Sequence, residues 1–111
     1  MYASVRKYDV PPDRIEEFMR RIDAEFTPEL ERMPGFVAYQ LIDGGLDRSE
    51  ESRVFAITVC RDPAAAERSA ELSARFVEEE LADLRVEPLE ATTGAVRVSR
   101  AVSEVLEAEH V

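Results

Sequence analysis

The stretch "MPGFVAYQLIDGG", residues 33–45, decides the fold of this 111-residue chain. Pro34 and Gly35 are typical of the end of a helix, and the residues from 36 to 42 then alternate along a strand. Val37, Tyr39 and Leu41 fall on one side of that strand, while the other side is also largely apolar. We therefore expect a strand that follows a helix directly and needs cover on both faces.

Three further segments, 2–8, 53–60 and 92–99, have the composition or alternation of strands. The segment 53–60 is apolar almost throughout, which is typical of a central strand covered on both faces. Residues 44–51 are rich in turn formers and charge, so they predict an exposed connection between two strands.

Two amphipathic helices lie between the predicted strands. In the first, Asp13 is the expected cap, apolar residues recur at helical spacing up to residue 33, and Pro28 predicts a kink or a restart. The second begins at Asp62 and Pro63, a cap followed by the proline that the first helical position tolerates, and extends to about residue 84.

The order strand, helix, strand, strand, helix, strand predicts an α+β, ferredoxin-like fold, in which two helices cover one face of a four-stranded antiparallel sheet. We expect the sheet order 4-1-3-2 and a domain over residues 1–100. Residues 101–111 form a tail, either a short docking helix or a frayed end. The uncovered sheet face is apolar, and the simplest way to bury it is to pack it against a second copy of the chain. This predicts a homodimer.

Charge and cysteine content exclude several classes of protein. The net charge of −10 repels phosphate backbones, so we expect no nucleic-acid partner. The single cysteine, Cys60, excludes an internal disulfide or a CxxC motif, and we expect no metal site. The sequence shows neither a long apolar run nor a secretory signal, so no membrane association and a cytoplasmic location are expected.

The segments "MPGFVAYQLID", "VFAITVCRDPAAAERSAELSARFVEEEL" and "EATTGAVRVSRA" together resemble the antibiotic biosynthesis monooxygenase family of dimeric α+β barrels. The resemblance extends from residue 2 to about residue 100. It implies that two sheets close into a barrel across a dimer, with a small-molecule pocket in each protomer between the sheet and the helices.

The resemblance also implies a function. Some family members oxidise polycyclic aromatic or quinol-like substrates without metal or flavin, whereas others degrade haem with an asparagine, a tryptophan and a histidine. This chain has no asparagine and no tryptophan, and its one histidine, His110, lies in the tail. The expectation is a cofactor-independent monooxygenase-like enzyme that acts on a small aromatic or quinol-type metabolite. The alternative is a non-catalytic dimer that binds a small molecule or serves as an interaction module.

Tyrosine and arginine side chains are the first candidates for the pocket. Tyr39 can hydrogen-bond a phenol or quinone oxygen, although packing at a dimer interface is its rival role. Arg6 and Arg97 are expected to be neighbours on strands one and four, where their charge would stabilise an enolate or phenolate; interface salt bridges are the alternative. Lys7 and Tyr8 are expected at a solvated strand edge.

Smaller and apolar residues complete the candidate pocket. Cys60 falls near the tryptophan position of the haem-degrading relatives and is either a pocket thiol or a buried small hydrophobe. Ser69 and Ser73 lie four apart on the second helix, where they either leave room for a ligand or allow close packing on the sheet. Phe76 is expected on the inner stripe of the same helix, at the wall of the pocket or filling it.

Overall fold

The computed structural model describes residues 1–102. Its four strands form one antiparallel sheet in the order β2-β3-β1-β4, with the helices on one face, which confirms the predicted fold and strand order. The elements are β1 (Tyr2–Val10), α1 (Ile15–Arg21), α2 (Thr27–Glu31), β2 (Phe36–Leu46), β3 (Ser52–Cys60), α3 (Pro63–Glu80) and β4 (Glu87–Ala95). The predicted tail helix and His110 lie outside the described residues, and the division at residue 100 stays a prediction.

The first helical segment, residues 12–31, changes its winding where proline was expected to disturb it. A π-helical turn, Ile22–Phe26, joins α1 to α2, and the Thr27 amide donates to the Ile22 carbonyl. Pro28 has no amide hydrogen for the carbonyls of this turn, and the Thr27 hydroxyl donates to the Asp23 carbonyl instead, at 2.7 Å. The expected kink is therefore a π-bulge, whose wider turn accommodates the missing donor.

The two predicted helix caps have different outcomes. Asp62 caps α3, because its Oδ1 accepts a hydrogen bond from the Ala65 amide at 2.8 Å. Asp13 does not cap the first helical segment, so that prediction is wrong. A 3-10 turn, Pro12–Arg14, begins one residue earlier after Pro11, and this places Asp13 inside the turn.

The turn at Pro34 and Gly35 packs on the start of α3. The Gly35 carbonyl accepts from the Arg61 amide at 2.8 Å, and the Pro34 carbonyl accepts from the Arg68 guanidinium at 3.0 Å. Gly35 has a φ of +88°, a left-handed conformation that glycine adopts without steric cost. This turn ends α2, starts β2 and fixes both against α3.

The fourth strand lies earlier in the sequence than predicted. It spans Glu87–Ala95 and not residues 92–99, because β4 is an edge strand, where Pro88 is tolerated. Ala91, not Arg97, is therefore opposite Arg6. The predicted pairing of Arg6 with Arg97 is wrong, since Arg97 follows the end of the strand.

One sheet face is buried by the helices and the other is open. The buried face contributes Tyr8, Val54 and Ala56 to a core that also contains Phe18 and Phe26 of the first helical segment. The open face carries apolar side chains that remain partly exposed: Val5, Ile42, Phe55, Ile57 and Val59. Val5 is 39% exposed and Ile42 is 44% exposed, so this face lacks cover within one chain.

The connection between β2 and β3 is shorter than predicted, because β2 continues to Leu46 and only residues 47–51 form the loop. An ion-pair network holds this loop to the sheet. Arg53 donates to Asp9 at 2.8 Å and to Asp47 at 2.9 Å. The pKa of Asp47 is held well below its usual range, mainly by hydrogen bonds from Ser49 to its carboxylate.

We expect Asp47→Asn to lower the urea midpoint of unfolding at neutral pH but to change it little in strong acid. A folded-state pKa below the unfolded value of about 3.9 gives stability that is present above that value and is lost as the pH falls through the folded pKa. Urea titrations of both proteins at the two pH values measure the difference. A gap between the two midpoints that persists unchanged in acid would contradict this assignment.

Candidate functional site

Two cavities lie between the helices and the sheet, and a third, of about 340 Å³, is lined by helical residues alone. The first, which we call the α3 cavity, has a volume of about 460 Å³ and lies between β1, the start of β4 and the C-terminal half of α3. The second, which we call the β2 groove, has a volume of about 620 Å³ and lies between the first helical segment and β2. Both volumes are in the range of about 300–1,000 Å³ that small-molecule sites occupy.

The α3 cavity combines a cation, a phenol and an apolar wall. Arg6 and Tyr8 of β1 line it from the sheet, and Val77, Leu81 and Val86 supply apolar surface. Burial raises the pKa of Tyr8, and the nearby positive charge of Arg6 opposes that rise in part. The Tyr8 hydroxyl is therefore protonated at neutral pH and can donate a hydrogen bond beside the Arg6 guanidinium.

Alternation along β1 brings these two side chains together. Arg6 and Tyr8 are two residues apart, so both point to the helical face, and Tyr8 is almost fully buried. The expectation that Tyr8 lies at a solvated edge is wrong, because β1 continues to Val10 and has a neighbouring strand on each side. A bulge at Lys7 and Tyr8 interrupts the pairing with β4 next to the cavity.

Tyr39 is positioned by β2 against the core. Its ring meets Phe26 edge to face, with centroids 5.8 Å apart, and burial raises its pKa strongly. Tyr39 lines the β2 groove on one side. On the other side it meets Ser73 and Phe76 at an internal void of only about 10 Å³, which is too small for an organic ligand.

The β2 groove has an apolar floor and a predominantly acidic rim. Met19, Phe36 and Leu41 line it together with Tyr39, whereas Glu16, Asp23 and Glu31 contribute carboxylates. Arg20 is the cation on this rim, and its guanidinium pairs with Glu17. The groove therefore offers little positive charge to an anionic ligand.

The remaining predicted site residues lie away from these cavities. Cys60 and Ser69 are buried where β3 meets α3, and the Ser69 hydroxyl donates to the Ala66 carbonyl at 2.7 Å. Burial raises the pKa of the Cys60 thiol, so it stays protonated at neutral pH. Arg97 is exposed beyond β4. The structure thus groups Tyr39, Ser73 and Phe76 at one void and places Arg6 in the α3 cavity. Cys60 and Ser69 lie together outside both places, and Arg97 lies apart from all of them.

Two classes of feature are absent from the part of the chain that the structure describes. Within residues 1–102, no three His, Cys, Asp or Glu side chains come together in a way that could hold a metal ion. No helix in the same range is long and apolar enough to cross a membrane.

The comparisons with known proteins concern both family and fold. Residues 1–79 match the model of the family described as antibiotic biosynthesis monooxygenase. No curated protein matches the chain by sequence.

Several solved structures share the fold at low sequence identity. HapK from Hahella chejuensis is 15% identical, with a TM-score of 0.71 over 92% of this chain and 99% of that one. A dimeric ferredoxin-like protein from an uncultured marine organism is 13% identical, with a TM-score of 0.66 over 92% and 100%. A monooxygenase from the gene ActVA-Orf6 of Streptomyces coelicolor, in complex with the ligand nanaomycin D, is 14% identical, with a TM-score of 0.67 over 91% of each chain.

Proposed function

The chain belongs to the antibiotic biosynthesis monooxygenase family, and from that premise we propose that it is a cofactor-independent monooxygenase that oxidises a small aromatic or quinol-type metabolite in the α3 cavity. The observation that carries this proposal is the position of Arg6 beside the buried Tyr8 in a cavity of about 460 Å³. A monooxygenase of the same fold with a bound ligand, nanaomycin D, is consistent with a small-molecule site in this architecture.

The chemistry of the cavity suits a substrate that reacts as an anion. An ionised phenol or enol is electron-rich enough to reduce dioxygen, and the Arg6 guanidinium would stabilise the charge on its oxygen. The Tyr8 hydroxyl would donate a hydrogen bond to the same oxygen. When a ring methylene becomes a carbonyl, one atom of dioxygen enters the product, and the other leaves as water with the two methylene hydrogens.

The apolar walls contribute contact surface for a ring. Val77, Leu81 and Val86 line the space where an aromatic ring would lie, and a ring bound there would displace water from around Arg6. An ion–oxyanion contact is stronger in such a site than in water. The cavity can therefore bind the ring and favour its ionised form at once.

We expect oxygen uptake to depend on free space in the α3 cavity. Ala74 is exposed and lines the cavity, so Ala74→Phe should fill it and lower substrate-dependent oxygen consumption at least about tenfold. Ala64→Phe is the matched control, because Ala64 is an exposed alanine in the first turn of α3 and should leave uptake unchanged. An oxygen electrode with a hydroxylated anthrone and a naphthoquinol measures both, after subtraction of uncatalysed oxidation.

Two results would reject this assignment. Equal loss of uptake in both variants would indicate damage to the helix and not to a site. Binding of the same compounds with no oxygen uptake by the unaltered protein would favour the non-catalytic small-molecule-binding module.

We propose a homodimer in which a second copy covers the open sheet face. The partly exposed apolar residues of that face support this proposal, as does the dimeric ferredoxin-like neighbour. Ile42→Glu should convert the dimer to a monomer in sedimentation equilibrium, whereas Val98→Glu, a control at an exposed position outside the sheet, should not. A monomeric unaltered protein at micromolar concentration would contradict the proposal.

A further inference from the structure

The charge of the α3 cavity is opposite in sign to that of the chain. The chain has a net charge of −10, yet the side chains that line this cavity include two arginines, Arg6 and Arg85, and only one carboxylate, Glu78. The β2 groove has the opposite balance, with three carboxylates and an arginine that is already paired. Of the α3 cavity and the β2 groove, only the α3 cavity therefore has an excess of positive charge.

The two arginines come from different elements. Arg6 belongs to the central strand β1 and lies on the buried face of the sheet, whereas Arg85 follows the 3-10 turn Ala82–Leu84 and is exposed. Neither guanidinium has a salt-bridge partner among residues 1–102. Two separate cations line the cavity, and only one of them is accounted for by the oxyanion proposed above.

The backbone at Arg85 is unusual for its residue type. Arg85 has a φ of +57° and a ψ of +41°, the left-handed conformation in which glycine or asparagine normally ends a helix. This residue turns the chain from the 3-10 turn towards β4, and its side chain lines the cavity there.

We infer that the ligand of the α3 cavity is an aromatic carboxylate, whose carboxylate pairs with Arg85 while its reacting oxygen lies at Arg6. This inference rests on the proposed function, because it describes the substrate of the same site. Arginine suits a carboxylate, since its planar guanidinium can donate two parallel hydrogen bonds. A neutral aromatic compound of the same size would use the apolar wall and Arg6 but leave Arg85 in water.

Calorimetric titration with two matched probes tests the inference. The probes are anthraquinone-2-carboxylate and the neutral 2-(hydroxymethyl)anthraquinone, which differ in one substituent. At low salt the carboxylate should bind about fivefold more tightly, the value of a good ion pair near a surface. Added salt should reduce this preference, because an exposed pair is screened.

Variants of Arg85 provide the decisive comparison. Arg85→Asn removes the charge but tolerates the left-handed backbone, so it should abolish the preference for the carboxylate without unfolding the protein. Arg85→Lys should keep most of the preference. Arg48→Asn, a control at an exposed arginine in the β2–β3 loop, should bind both probes as the unaltered protein does.

The outcomes separate this inference from the proposed function. If both probes bind equally and Ala74→Phe weakens both, the cavity is a ligand site but the carboxylate assignment is overturned. A preference that survives in Arg85→Asn also overturns it. If neither probe binds, or Ala74→Phe has no effect on either, the site itself is rejected, and both proposals fail together.

Discussion

Gly35→Ala is expected to lower the free energy of unfolding by about 3 kcal/mol, because it combines backbone strain with a steric clash. Gly35 has a φ of +88°, and a methyl group built on it would lie 2.6 Å from the Cβ atom of Ala65. That separation is far below van der Waals contact, and Ala65 is fully buried in the first turn of α3. The start of β2 and the start of α3 would have to move apart.

Substitutions at two other glycines distinguish the backbone strain from the steric clash. Gly45 has a φ of +79° but open space around it, so Gly45→Ala should cost only the strain, about 1 kcal/mol. Gly94 has neither feature, and Gly94→Ala should change stability by less than about 0.5 kcal/mol. Urea unfolding of the three variants at one protein concentration measures how much free energy of unfolding each substitution removes. If Gly35→Ala were no worse than Gly45→Ala, the close packing of this turn on α3 would be disproved.

Arg6→Gln is expected to lower kcat about 100-fold, the usual loss when one oxyanion-stabilising donor is removed. Arg6 is the cation that lies beside Tyr8 in the α3 cavity, and glutamine keeps the approximate length of its side chain without its charge. The effect should fall on kcat more than on KM, because charge develops on the substrate as it ionises and reacts.

Two further variants test that prediction. Arg6→Lys should recover part of the activity, because it restores the positive charge but not the planar guanidinium. Arg97→Gln should have no effect, since Arg97 lies beyond β4 and outside the cavity. Steady-state oxygen uptake gives kcat and KM for each variant, and urea unfolding verifies that it is folded. A loss confined to KM would mean that Arg6 binds the substrate without assisting the reaction.

The parts of the fold that were predictable come from short, strong local signals. Pro34 with Gly35, and Asp62 with Pro63, fix a helix end and a helix start in the sequence, and the structure brings these two points into contact. The alternation of residues along each strand then predicts which side chains share a face of the sheet. The order of strands and helices in the chain is compatible with only a few topologies. The sheet order and the helical cover of one face follow from these rules and are confirmed.

Predictions of element bounds and helix geometry were wrong where contacts between distant parts of the chain outweighed a local sequence signal. Pro88 would end a central strand, but β4 is an edge strand, so pairing with β1 continues past it. The π-bulge at Ile22–Phe26 depends on which carbonyl each donor reaches, and residue spacing does not specify that. The first feature makes the fourth strand start at residue 87 and not at 92, and the second gives the first helical segment a wider turn before Pro28.

The candidate site was less predictable than the fold for the same reason. Arg6 was a candidate from the sequence, yet its supposed partner Arg97 lies beyond the end of β4, because that strand starts at Glu87 and places Ala91 opposite Arg6. Arg85 reaches the cavity through a left-handed residue after a 3-10 turn, for which the sequence carries no glycine or asparagine as a signal. Alternation along β1 was the one signal that pairs Tyr8 with Arg6.

The measurement that tests the central claim most directly is a crystal structure of the protein with a bound hydroxylated anthraquinone. We expect the ring between α3 and β1, with a ligand oxygen within hydrogen-bonding distance of the Arg6 guanidinium. A ligand bound only in the β2 groove beside Tyr39, with the α3 cavity unoccupied, would contradict the proposed site.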